Sequence, residues 1–165
     1  MKKNTAQYKK GIALYIAVTV TAALVLVSFA VVSLALKQIS ISSAGRDSQE
    51  AFYAADSGGE CAIFWDVKNP TNPGLSAFST TTAPQTIFCN FDANNPSNGS
   101  IATGGGSNAT TTFTLTFLPQ TYCAIVTVVK GYVGGIQNTK IESRGYNTCD
   151  ATSPRRVERA IRVNY

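Results

Sequence analysis

Four cysteines, Cys61, Cys89, Cys123 and Cys149, are the residues of this 165-residue chain best suited to covalent chemistry. No two are close in sequence and the chain has no histidine, so zinc-cluster spacing and a thiolate–imidazole pair are both missing. The same lack removes a Ser–His pair, and no motif points to a Ser–Lys arrangement. Gly104-Gly105-Gly106 lacks the lysine and hydroxyl pair of a phosphate-binding loop and reads as a flexible turn. The chain is therefore read as a non-enzyme that needs no cofactor. An even number of cysteines in an oxidising compartment reads as two disulfides, with three connectivities open.

Two further clusters carry weaker signals. Asp92, Asn94 and Asn98 offer oxygen ligands in a turn-rich loop, which makes them a weak calcium candidate. The segment lacks the acidic count and closing glutamate of a strong calcium loop, and Asn and Asp more often serve turns by bonding their own backbone. Asn98-Gly-Ser100 and Asn108-Ala-Thr110 fit the glycosylation pattern, which agrees with an exposed region. Arg155, Arg156, Arg159 and Arg162 lie near the end of the chain. They form either a strip contacting DNA phosphates or a charged edge strand that discourages further pairing, and the edge reading fits better.

The elements that must position these residues begin with Gly11 to Leu36, 26 residues without a charge, bounded by Lys10 and Lys37. As a helix this stretch rises roughly 37 Å, enough to cross a hydrocarbon core of about 30 Å with some tilt. Lys2, Lys3, Lys9 and Lys10 precede it with no acidic companion, so the positive-inside rule predicts a cytoplasmic leader and an exported remainder. The net charge of +5 is mainly this topology signal, because past Gly11 the balance is 10 basic against 9 acidic residues. The exported part as a whole shows no nucleic-acid footprint. It amounts to about 125 residues, one domain of ordinary size.

From Ile39 to Trp65 the residues Ala44, Ser48, Ala51, Ala55, Gly58, Ala62 and Trp65 recur at spacings of four and three. That is one face of a continuing helix, and nearly all of it is small enough for a sheet or another helix to come close. Arg46, Asp47, Gln49, Glu50 and Asp56 flank it in water. Gly58 and Gly59 are expected to mark a bend or a fray, and Asn69-Pro70-Thr71-Asn72-Pro73-Gly74 ends the helix.

Residues 75 to 119 are polar and loop-rich, interrupted by apolar pieces at Thr86–Phe91 and Thr111–Leu118. In the second piece Phe113, Leu115 and Phe117 alternate with threonines as in a half-buried strand. Tyr122–Tyr132, Asn138–Tyr146 and Val157–Tyr165 read as three more strands. A hairpin folded near residue 136 sets Cys123 opposite Cys149, leaving Cys61 for Cys89. Each bridge then closes a loop of about 27 to 29 residues, worth roughly 3 kcal/mol in the chain-entropy model. The second bridge ties the helix end to the first loop.

Lys9-Lys10-Gly11-Ile12-Ala13-Leu14 resembles the processing junction of type IV prepilins and pseudopilins. The resemblance implies cleavage after Gly11 by a prepilin peptidase, N-methylation of Ile12, and retention of the apolar stretch as a helix that packs with other pilin-like subunits. Most pilins carry glutamate at the fifth position after the junction. This chain has Ile16, which is similar to minor pilins of the PilX type and to the tip pseudopilin of type II secretion. Ala51-Phe52-Tyr53-Ala54-Ala55-Asp56-Ser57-Gly58 resembles the Ala-x-x-Ala-Ala-Glu-x-Gly signature of the PilX-type N-terminal region.

The expectation is an α+β, pilin-like protein in which a long N-terminal helix packs on a small antiparallel β-sheet. Its parts are a leader at 1–11, a helix at 12–66 that crosses the membrane at 12–36, and an exported β-rich domain at 67–165. The subunit is held in the cytoplasmic membrane and then joins a cell-surface filament. Ile16 and the small-residue face supply the packing. Two alternatives stay open: a membrane-anchored binding or adhesion domain, and a DNA-uptake pilus subunit using the arginines.

Overall fold

A computed structural model describes residues 5–79, 85–89, 99–102 and 109–165. Helix α1 spans Thr5–Val67 and is followed by β1 (Gln85–Phe88), β2 (Gly99–Ala102), β3 (Ala109–Thr116), β4 (Cys123–Val133), β5 (Ile136–Tyr146) and β6 (Glu158–Asn164). The chain forms two compact units, residues 1–44 and 45–165.

Between Ile12 and Leu36, in the first unit, α1 is apolar on every side. Leu14, Leu26 and Phe29 are 71%, 70% and 73% exposed. Its few hydroxyls are satisfied within the helix: Thr19 and Thr21 donate to the carbonyls of Ile16 and Val18, and Ser28 and Ser33 to those of Leu24 and Phe29. Back-bonding of this kind satisfies these four hydroxyls within the helix. The helix is long and apolar enough to cross a membrane.

In the second unit the remainder of α1 packs on a four-stranded antiparallel sheet of order β3-β4-β5-β6, and β1 and β2 form a separate pair. The strand alternation places Phe113 and Leu115 of β3, Ala124, Val126 and Val128 of β4, and Ile141 and Ser143 of β5 toward the helix, all buried. Phe78 and Phe113 stack with ring centres 6.1 Å apart, and Ile87 of β1 is fully buried in the same core. Phe117 lies one residue past β3 and is only half-buried.

Glycine sets how close the helix comes. A Cβ on Gly145 of β5 would overlap the carbonyl of Ala51 and the amide of Ala55, and one on Gly58 would lie 2.8 Å from Val126 Cγ2. Gly58 and Gly59 therefore mark no bend or fray. α1 runs unbroken through both, and the sheet fills the space where a side chain on Gly58 would sit, while Gly59 has only Ser143 Cβ nearby, at 3.9 Å.

The helix stops at Asn69, a non-glycine residue with φ of +25°. Its side chain is buried and organises the turn that follows the helix. Nδ2 donates to the Leu75 carbonyl at 2.6 Å and to Gln85 Oε1 at 3.1 Å, and Oδ1 accepts from the amides of Thr71 and Asn72.

The β4–β5 hairpin turns at Gly134 and Gly135, with φ of +62° and +83°, a pair of left-handed positions that two-residue hairpin turns favour. Cys123 consequently faces Tyr146, and the expected fold near residue 136 is displaced. Cys149 lies three residues beyond the strand and reaches Cys123 from the following loop, where its amide donates to the Thr121 carbonyl at 2.9 Å. β2 falls in a stretch read from the sequence as loop.

Candidate assembly surfaces

Gly11, Ile12 and Ile16 all lie on the exposed apolar part of α1, with Ile12 50% and Ile16 54% exposed. Nothing lies within 4 Å of a Cβ built on Gly11. A helix-interior glycine costs about 1 kcal/mol relative to alanine, and here no packing within the chain offsets it. The contrast with Gly58 and Gly145 is direct.

The small-residue face divides. Ala51, Ala55, Gly58 and Ala62 are buried against the sheet, joined by Ala54 and Trp65. Ala44 is exposed and takes no part in that contact. Ser48 is half-buried at the margin, where Arg159 Nε donates to its hydroxyl at 2.9 Å. The face that seats the helix thus begins at Ala51, one helical turn after Ser48, where Arg159 near the start of β6 meets the helix.

Cys61 is bonded to Cys89, joining α1 to the end of β1, and Cys123 to Cys149. Trp65 Nε1 donates to the Phe88 carbonyl at 3.0 Å, so helix and β1 are joined twice within one turn.

A buried polar knot lies at the end of the helix. Lys130 Nζ sits 2.7 Å from Asp66 Oδ1, with both side chains 5% exposed or less. Lys130 also donates to Thr139 Oγ1 at 2.9 Å, the Ser76 hydroxyl donates to Asp66 Oδ1, and the Tyr165 hydroxyl donates to Asp66 Oδ2 at 2.6 Å. Burial, then the bond to Asp66, pushes the Tyr165 phenol well above its ordinary range. Four segments meet here: α1, the loop after it, the β4–β5 ribbon and the chain end. Sequence reading missed the knot. The available signal was Lys130 itself, which continues the inward series Ala124, Val126, Val128 and so falls at a core position.

The arginines do not form one strip. Arg155 pairs with Asp47 at 3.5 Å, Arg162 with Glu142 at 2.7 Å, and the Arg156 guanidinium lies 3.7 Å over the Tyr146 ring. Arg144 holds the other oxygen of Glu142 at 2.6 Å. Its hydrogen bonds, followed by those of Arg162, lower the Glu142 carboxyl to about 2. Burial raises the Tyr146 phenol. β6 is an edge strand, so its charges also discourage further pairing.

Asp92, Asn94 and Asn98 lie outside the described residues, as do Asn108 and Gly104 to Gly106. Among the described residues no group of three or more histidine, cysteine, aspartate or glutamate side chains is placed to hold a metal. No family model, curated protein or solved structure matches this chain. The functional reading therefore rests on the chain's own surfaces: one apolar helix without a partner, and one folded unit bonded tightly to the rest of that helix.

Proposed function

We propose that this chain is a structural subunit of a type IV pilus or related filament, a minor pilin or pseudopilin assembled through its N-terminal helix. The observation that carries the reading is the surface of α1 between Ile12 and Leu36, apolar on all sides and without a buried residue. A helix hydrophobic all round needs an apolar environment from outside itself. Lipid supplies it while the subunit is stored in the cytoplasmic membrane, and neighbouring helices supply it in the filament. In this reading the lysine-rich leader stays in the cytoplasm, a prepilin peptidase cuts after Gly11, and Ile12 becomes the N-methylated terminus. The two disulfides agree with an exported folded unit.

The work done is packing, not bond chemistry. Ile16, in the place where most pilins carry glutamate, brings no buried charge into the bundle, so the subunit needs no charged partner at that level. A DNA-uptake role gains little support, because the four arginines make separate local contacts and form no continuous basic strip. Mass spectrometry of the protein purified from its native membrane tests the reading. The expected mature chain begins at methylated Ile12 and has all four cysteines oxidised. A chain that keeps Met1 in every fraction points instead to a membrane-anchored binding domain.

A further inference from the structure

We propose that the folded unit docks head-to-tail on a second copy of this chain, an acidic, aromatic flank beside α1 receiving the arginine-bearing edge strand β6 of its neighbour. The proposal rests on the filament reading and adds the surface by which adjacent folded units recognise each other.

The receiving flank is a shallow groove between α1 and β1 of about 540 Å³, lined by Ser57, Glu60, Cys61, Phe64, Phe88 and Phe117 among others. Phe64 and Phe88 are 50% and 49% exposed, Glu60 is exposed, and Asp56 stands exposed one turn earlier on the same helix. None of the lining residues is basic. Clustered exposed aromatic rings beside a carboxylate make a surface that is costly to leave in water and suited to a guanidinium partner.

The donating flank is the opposite edge of the sheet. β2 lies beside β3 at one edge, whereas β6 forms the other. Arg159 and Arg162 on β6 and Arg155 just before it are all exposed. Arginine suits such a contact because its planar fork pairs with carboxylates and stacks on rings. The contacts of Arg159 and Arg162 leave both available. Arg159 holds only the Ser48 hydroxyl among its described hydrogen bonds, and Glu142 keeps Arg144 when Arg162 turns outward. Exposed pairs of that kind contribute little in water, so exchanging one for an intermolecular pair costs little.

Because the two patches differ and lie on opposite edges, the contact is heterologous. Each docking event leaves one patch unused on each outer copy, so the association propagates and does not stop at a closed pair. Glu60 and Arg159 should therefore behave as partners across copies.

The test uses the full chain in mild detergent at low salt and reads covalent crosslinks between copies, with circular dichroism confirming the fold. Glu60→Arg alone and Arg159→Glu alone should each lower the yield about tenfold, roughly the effect of one lost interfacial pair. Mixing the two charge-reversed variants should restore it, because each then meets a complementary partner, and Phe88→Ala should weaken it without rescue. Unchanged yield in both single variants, no recovery on mixing, or crosslinks only to a different protein overturns the docking. If the mature chain nonetheless begins at Ile12, the filament reading stands without it. If the chain keeps Met1 and forms no crosslinked species at all, the filament reading fails first.

Discussion

Between Ile12 and Leu36 the side chains of α1 are mostly large, branched and exposed, whereas between Ala51 and Trp65 those facing the sheet are alanine, glycine and one tryptophan, nearly all fully buried. The same backbone conformation serves both halves, yet the source of order differs. The second half is fixed by its own chain: glycine at the close crossing, a disulfide, and an ion pair sealed from water. The first half has hydroxyls that bond only to the helix itself, so every stabilising contact beyond helix propensity must come from outside. A chain made this way keeps a folded unit ordered by its own contacts while its apolar half takes its surroundings from outside.

The strongest way to break the contrast is to remove the charge partner at the helix end. Asp66→Ala leaves Lys130 buried and uncompensated and should cost about 3–5 kcal/mol. Denaturant unfolding of the detergent-solubilised chain, followed through the fluorescence of Trp65, its single tryptophan, should show that loss while the apolar half keeps its helical signal. Replacing Cys61 and Cys89 together by serine should cost about 2–4 kcal/mol on the same scale, since the bridge is one of two ties between α1 and β1.

A paired substitution sharpens the comparison further. Ala55→Leu forces a larger side chain into a fully buried site on the sheet and should cost about 1–3 kcal/mol. Ala23→Leu, on the exposed apolar half, should leave the unfolding midpoint unchanged. Equal effects from the two would erase the distinction.

The smallest expected effect is electrostatic. The Glu142 carboxyl falls from an ordinary 4.5 to about 2, held by Arg144 and Arg162. A depressed carboxyl adds stability that is fully present above its unfolded value and is lost as pH falls from about 4.5 through 2. The group is exposed to solvent screening, so the contribution stays below about 1 kcal/mol. Unfolding midpoints measured from pH 6 to pH 2 should drop slightly more for the wild-type chain than for Glu142→Gln.

Much of this architecture was legible in the residues. An uncharged run, a stripe of alanine and glycine at helical spacing, and β-branched runs separated by Gly134-Gly135 each follow from local pattern, so the helix, β4, β5 and β6 could be read directly. The knot of Asp66, Lys130 and Tyr165 could not, because it joins residues far apart in sequence, and the inward position of Lys130 marks one member without naming its partners. The hairpin centre was misplaced for a related reason. The bridge from Cys123 to Cys149 was assumed to lie across the ladder, while the chain makes it from a loop beyond β5. β2 carries only Ile101 as a sizeable apolar residue, too weak a pattern to stand out from loop.

The central claim is that α1 between Ile12 and Leu36 finds its partner in comparable helices of other copies. A photoreactive amino acid placed at Val25, 67% exposed on that half, reports this directly in the native membrane and in the sheared filament fraction. The account predicts lipid adducts in the membrane and protein adducts with pilin-like subunits in the filament fraction. Lipid adducts alone, in every fraction, would contradict it.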